Sequence, residues 1–75
     1  MAKRKDPFLR GLGARVRQCR EDHQWTQEEL AEHAELDRSY IAGIEAGLRN
    51  PSMKAMAKIA RGLDLTLSEL LQAVD

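Results

Sequence analysis

One segment of twenty residues, Thr26 to Glu45 (TQEELAEHAELDRSYIAGIE), constrains this chain more than any other. It reads as two short helices joined by a tight turn, the first at about 27–33 and the second at about 38–46. Thr26 followed three positions later by Glu29 is a capping-box spacing, and Asp37 is a candidate N-cap for the second helix. Leu30, Ala31 and Ala34 give the first helix an apolar face, and Ile41 and Ile44 do the same for the second. The small side chains Ala31 and Ala34 let the two helices approach closely at a steep angle.

Around this pair the pattern predicts three more helices and no strand. Asp6-Pro7 starts the first, with Pro suited to the first helical position, and Leu9, Leu12, Val16 and Cys19 recur at helical spacing. Arg15, Arg17 and Gln18 fall on its other faces. Gly11 and Gly13 weaken its opening turns, each costing about 1 kcal/mol relative to Ala in a helix interior. This helix is expected to end near Asp22 or His23. Gly47 suits a left-handed stop after the third helix. Ser52 can cap a fourth helix carrying Met53, Met56, Ala57, Ala60 and Leu63, with Gly62 near its end. Its methionines read as flexible core filling in preference to a binding groove. Thr66 and Glu69 repeat the capping-box spacing before Leu70, Leu71 and Val74. The expected architecture is therefore all-α: a basic N-terminal arm at 1–7 and one compact five-helix domain at 8–75. A chain of 75 residues has a small core that is marginal for a monomer.

Composition narrows the function. The single cysteine, Cys19, permits no internal disulfide, zinc cluster or CxxC pair, and its place on the apolar stripe makes it a buried small hydrophobe. No apolar run is long enough to span a bilayer, and the basic start lacks a hydrophobic signal segment, so the cytoplasm is the default location. His23 and His33 have no nucleophile or metal constellation beside them, so neither enzyme activity nor a cofactor is expected. With one Phe, one Tyr and one Trp, an aromatic platform for single strands is also not expected. Formal net charge is zero, yet residues 1–20 carry +6 and residues 21–75 carry −6. Such a chain can still turn a basic face to phosphates, with weaker long-range steering than a strongly basic domain. Lys3, Arg4 and Lys5 read equally as phosphate contacts or as a solubilising tail.

The second helix of the central pair opens with Arg38 and Ser39, one suited to paired hydrogen bonds with guanine and the other to less selective contacts. That arrangement fits a helix offered to the major groove of double-stranded DNA. The alternative for Arg38 is a salt bridge with a neighbouring acid. Gln27, at the exposed first turn of the preceding helix, is a candidate phosphate contact through its amide and the helix-terminal N–H groups, or simply a solvent-facing residue. Arg49 and Asn50 in the loop after the second helix, and Arg17 on the first, are further phosphate candidates. Tyr40 can pack at the core edge and send its hydroxyl toward a phosphate. Trp25 is expected to pack across the first joint, in preference to stacking on a base.

Taken in order, Arg17 and Arg20, then TQEELA (Thr26–Ala31), LDRSYI (Leu36–Ile41), IEAG (Ile44–Gly47), RNPS (Arg49–Ser52) and Ile59-Ala60 resemble the lambda/Cro-like, or XRE-type, helix-turn-helix domains. The resemblance covers most of the chain. Within that group the stretch from Leu36 to Ser52 and the small size are most similar to controller proteins of restriction–modification systems. It implies a lambda-repressor-like fold and a homodimeric transcription factor on a symmetric operator. Base readout would fall to Arg38 and Ser39, with Ala42 and Gly43 allowing close approach, and Gln27 would clamp the backbone. Arg20 and Glu45 would form a structural ion pair between the first and third helices. Two joints depart from the family pattern, since Gln24 and Glu35 stand where Gly is usual, which implies left-handed non-glycine residues or an adjusted joint.

The C-terminal segment 65–75 is rich in apolar residues for its length. Leu65, Leu67, Leu70, Leu71 and Val74 are candidates for a dimer interface, and the alternative is that they close the monomer's core. A dimer would occupy two half-sites of a palindromic operator, about one helical turn apart or a multiple of that. Contact with RNA polymerase is a further candidate. Competing readings are a phage-like repressor, an antitoxin or another operon regulator of the same fold, and a protein-interaction module that does not bind DNA.

Overall fold

The computed structural model describes residues 6–74. Five helices follow one another in these residues: α1 (Pro7–Asp22), α2 (Gln27–Ala34), α3 (Arg38–Glu45), α4 (Met53–Gly62) and α5 (Leu67–Leu70). Lys3, Arg4 and Lys5 of the expected basic arm lie outside the described residues, while Asp6 and Pro7 belong to the start of α1. The Asp6 carboxylate accepts from the Phe8 N–H at 2.8 Å and Pro7 takes the first helical position, so two sequence signals act together at one end. Both capping boxes form. Thr26 Oγ1 accepts from Glu29 N–H at 3.1 Å, and Thr66 Oγ1 accepts from Glu69 N–H at 3.0 Å. Asp37 departs from expectation: it stands at the N-cap of α3, but its side chain makes no capping hydrogen bond.

Three helices end on the same device. Gln24, Glu35 and Asp64 adopt left-handed φ angles of 60°, 58° and 61°. The next residue in each case bonds back across the turn: Trp25 N–H to Arg20 O, Leu36 N–H to Ala31 O and Leu65 N–H to Ala60 O. Each of these residues is apolar and packs onto the core, which completes the helix-stop motif. The packing gain holds three non-glycine residues in a conformation that costs each about 1–2 kcal/mol.

The core is built from Val16 of α1, Leu30 of α2, Ile41 and Ile44 of α3, Ile59 and Leu63 around the end of α4, and Leu70 of α5. α1 packs on α3 and α5, and α2 packs on α3 and α4, so α3 is held from two sides with its N-terminal turn left outside. Gly13 is buried where α1 meets the last carbonyls of α3. A β-carbon there would stand 2.7 Å from Glu45 O. The glycine that weakens α1 locally is thus what allows it to touch α3.

Two expectations about side chains need correction. Leu70 is not an interface residue: it is fully buried inside the single chain, where it closes the core. Leu65, Leu67, Leu71 and Val74 are half-buried, packed on the core by one side and open on the other. Among the exposed large apolar residues is Met53, on the outer side of α4, whereas Met56 is buried; core filling therefore describes only one of the two. Cys19 is buried, and burial pushes its thiol above the usual range, which suits an inert packing group.

Candidate nucleic-acid interface

The centre of the site is an ion pair whose side chains are nearly out of water. Arg20 of α1 and Glu45 of α3 are 12% and 4% exposed in their side chains. The guanidinium grips the carboxylate with two parallel bonds, Nε to Oε2 at 2.7 Å and Nη2 to Oε1 at 2.9 Å. Its remaining nitrogen, Nη1, donates to the Trp25 carbonyl at 2.7 Å, so one side chain ties α1, the α1–α2 joint and α3 together. The Glu45 hydrogen bond raises the Arg20 pKa above the ordinary guanidinium value despite the opposing cost of burial.

Gln27 enters the same network. It is half-buried, and its amide nitrogen donates to Glu45 Oε1 at 3.1 Å. This corrects the reading of Gln27 as a freely solvent-facing side chain: one amide hydrogen is already committed inward. The Arg20–Glu45–Gln27 cluster thereby ties the first residue of α2 to the last residue of α3.

From that anchored base, the first turn of α3 projects outward. Arg38 and Ser39 are exposed, and among the described residues Arg38 forms no salt bridge; the only ion pairs there are Arg17–Glu21 and Arg20–Glu45. Ala42 is half-buried one turn on. Gly43 departs from the expected role of open approach. The space where its side chain would point holds Arg49, and a β-carbon there would collide with Arg49 Cγ. The Arg49 guanidinium continues over the Tyr40 ring at 5.2 Å from its centroid. Tyr40 Oη in turn accepts from the Ser52 N–H at 3.3 Å. Gly43, Arg49, Tyr40 and Ser52 therefore form one packed connection from α3 through the loop to the start of α4. Asn50 is exposed on that loop, and Pro51 is buried beneath it. Arg17 is exposed but already pairs with Glu21 at 3.2 Å, one turn along α1.

One feature was not read from the sequence. Lys54 and Lys58, one turn apart on α4, line a shallow groove of about 190 Å³ with Leu36, Tyr40, Ser52 and Ala55. Neither lysine has a salt-bridge partner among the described residues. Their i, i+4 spacing was visible, but only the fold places them beside Tyr40 and the RNPS loop. Trp25 is unavailable as a stacking platform, because His23 covers one face at 4.3 Å between centroids and His33 the other at 4.0 Å. His23 Nε2–H donates to Leu63 O at 3.0 Å, so the first histidine is a tie between the α1–α2 joint and the end of α4.

Comparison with known proteins adds to this geometry. A family model described as helix-turn-helix matches residues 16–70. The immunity repressor protein of Bacillus phage phi105 is 37% identical over 60 residues, which is 80% of this chain but 42% of that protein; the chain thus spans under half of that relative's length. Among solved structures, the restriction–modification controller protein C.AhdI from Aeromonas hydrophila is similar at 42% identity and a TM-score of 0.81, covering 83% of this chain and 94% of that one. The controller protein C.Esp1396I, solved as a tetramer in complex with its natural 35 base-pair operator, is similar at 31% identity and a TM-score of 0.82, covering 89% of this chain and 88% of that one.

Proposed function

The chain belongs to the helix-turn-helix family, and from that premise we propose that it is a sequence-specific, double-stranded-DNA-binding transcriptional regulator. The observation that carries the reading is the exposed Arg38–Ser39 turn of α3, without a salt bridge among the described residues and held on a base fixed by the Arg20–Glu45 pair. Arg38 reads guanine in the major groove and Ser39 makes the less selective contact, with Ala42 at the wall of the groove. Gln27, through its second amide hydrogen, and Arg49, Asn50, Tyr40 and Arg17 meet phosphates on either side. Gly43 acts at one remove, by giving Arg49 room to lie across α3.

The finer reading is a homodimeric controller of a restriction–modification operon acting on a palindromic operator. The likeness to C.AhdI over nearly all of that protein's length supports it, as does the operator-bound assembly of the similar C.Esp1396I. The half-buried apolar edge of Leu65, Leu67, Leu71 and Val74 supplies the surface for the second copy. Bound across a promoter, such a dimer excludes RNA polymerase; bound beside one, it can touch the enzyme. Action on an operator places it in the cytoplasm. The relatives named above are controllers and repressors, in keeping with binding and not catalysis.

Selection from randomised duplex DNA, followed by a salt titration on the winning site and its scrambled form, tests the reading. A symmetric motif bound well above the scrambled control, with affinity falling steeply with salt, is the expected result. Absence of any enriched sequence by folded protein would overturn it. A restriction endonuclease gene and a methyltransferase gene beside the coding sequence, with the selected motif upstream, would support the operon assignment. Prophage genes there would favour the phage-like repressor.

A further inference from the structure

α5 has four residues, too few to hold a helix by its own hydrogen bonds, yet it lies in the middle of the apolar edge assigned above to a second copy, with Leu67 inside it and Leu65, Leu71 and Val74 flanking it. Three separate devices hold it. Leu70 is sunk fully into the core, and the Thr66–Glu69 capping box closes the N-terminal end. The third lies at the other end and comes from far away in the chain. Arg15 of α1 sends Nε to Leu70 O at 2.9 Å and Nη2 to Glu69 O at 2.7 Å. Both are carbonyls of the final turn, where a cation is favoured; Glu69 O also accepts from the Gln72 N–H at 3.3 Å. Arg15 has no carboxylate partner among the described residues.

We propose that Arg15 is a positioning residue for self-association: by bridging the last two carbonyls of α5 it fixes the rotation and tilt at which Leu67, Leu71 and Val74 meet the second copy. The inference rests on the homodimer reading above. Leu70 and the half-buried Leu67, Leu71 and Val74 hold α5 to the core by apolar contact, which is non-directional and sets its rotation less sharply than hydrogen bonds do. The guanidinium supplies two such bonds from a rigid plane. Leu71 and Val74 lie immediately beyond those carbonyls, with Val74 N–H bonded back to Leu71 O at 3.1 Å, so their placement follows that of the bridged turn.

Sedimentation equilibrium on the full chain tests this with Arg15→Met, which keeps an apolar stem and removes the donors, and Arg15→Lys, which keeps the charge and cannot span both carbonyls. Ala57→Gly, at an exposed position of α4, serves as a control that loosens the fold without touching α5. The dimer dissociation constant is expected to rise about tenfold or more for Arg15→Met and by less for Arg15→Lys. Far-UV circular dichroism should show both variants folded, and Ala57→Gly should lower the melting temperature while leaving the dimer constant unchanged. Dissociation constants within about twofold of the parent for both Arg15 variants would overturn the proposal. If Arg15→Met does not fold, Arg15→Lys decides alone. A parent protein that stays monomeric at millimolar concentration would instead overturn the homodimer reading, and the assignment of Arg15 with it.

Discussion

Gly13 faces the carbonyl of Glu45 so closely that a β-carbon on it would stand 2.7 Å from that oxygen, and nearer still to the carbonyl oxygen of Ile44. Two residues earlier, Gly11 has nothing within 4 Å of the same position. The two glycines of α1 therefore predict opposite outcomes. Gly13→Ala should destabilise by about 1–3 kcal/mol through overpacking against backbone that cannot yield. Gly11→Ala should stabilise by up to about 1 kcal/mol from helix propensity. Urea unfolding of the two variants checks both; stabilisation by Gly13→Ala would refute the close approach of α1 and α3.

Removal of Glu45 should cost more than a surface ion pair would suggest. Glu45→Ala strands the Arg20 charge in a poorly hydrated place and leaves the Gln27 amide without its acceptor, for an expected loss of about 3–5 kcal/mol. Replacing both partners, as Arg20→Met with Glu45→Leu, should recover much of that loss because no charge is then left unpaired. A double-mutant cycle by thermal unfolding measures the coupling. Additive losses would mean that the pair contributes nothing as a pair.

Base readout and backbone contact separate on DNA. Arg38→Ala should cost about 1–3 kcal/mol on the selected site and much less on scrambled duplex. Lys54→Ala or Lys58→Ala should weaken both duplexes alike and lower the salt slope by about 1 each if the α4 groove meets a phosphate. Fluorescence anisotropy across a range of salt concentrations gives both quantities. Equal losses on the two duplexes for Arg38→Ala would remove it from base recognition.

Glu35 offers a test of the left-handed joint. Its φ of 58° carries strain that glycine would not. Glu35→Gly should stabilise by about 0.5–1 kcal/mol once the greater freedom of glycine in the unfolded chain is subtracted. A lower melting temperature for this variant would show that the Glu35 side chain contributes more than its backbone costs.

Most of the helix order was legible because its signals are local. Thr26 with Glu29, Thr66 with Glu69, Asp6 with Pro7 and the apolar spacing of Leu12, Val16 and Cys19 each act within one or two turns of chain. The observed α2 and α3 differ from the expected 27–33 and 38–46 by one residue each. Asp37 marks the edge of that legibility: the residue type and position fit a cap, but whether the side chain turns toward the N–H groups depends on what surrounds it.

For the candidate site, the exposure of some side chains was legible and their arrangement was not. Exposure of Arg38 and Ser39 follows from their place ahead of the apolar positions Ile41 and Ile44. The inward turn of Gln27 does not, because its acceptor stands 18 residues away. Gly43 has the same history: its small size was visible, but its occupant, Arg49, depends on how the loop folds back over α3.

The sequence by itself determined where helices start, which faces are apolar and that two short helices would form between Thr26 and Glu45, since these depend on spacing and on backbone groups a few residues apart. Tertiary structure alone decided that Leu70 points inward while Leu67, Leu71 and Val74 keep an open edge. It also decided that Trp25 is covered on both faces and that Arg15 reaches carbonyls 54 and 55 residues away. Those outcomes rest on which groups stand opposite one another across the core, and local spacing carries no record of a partner that only folding brings near.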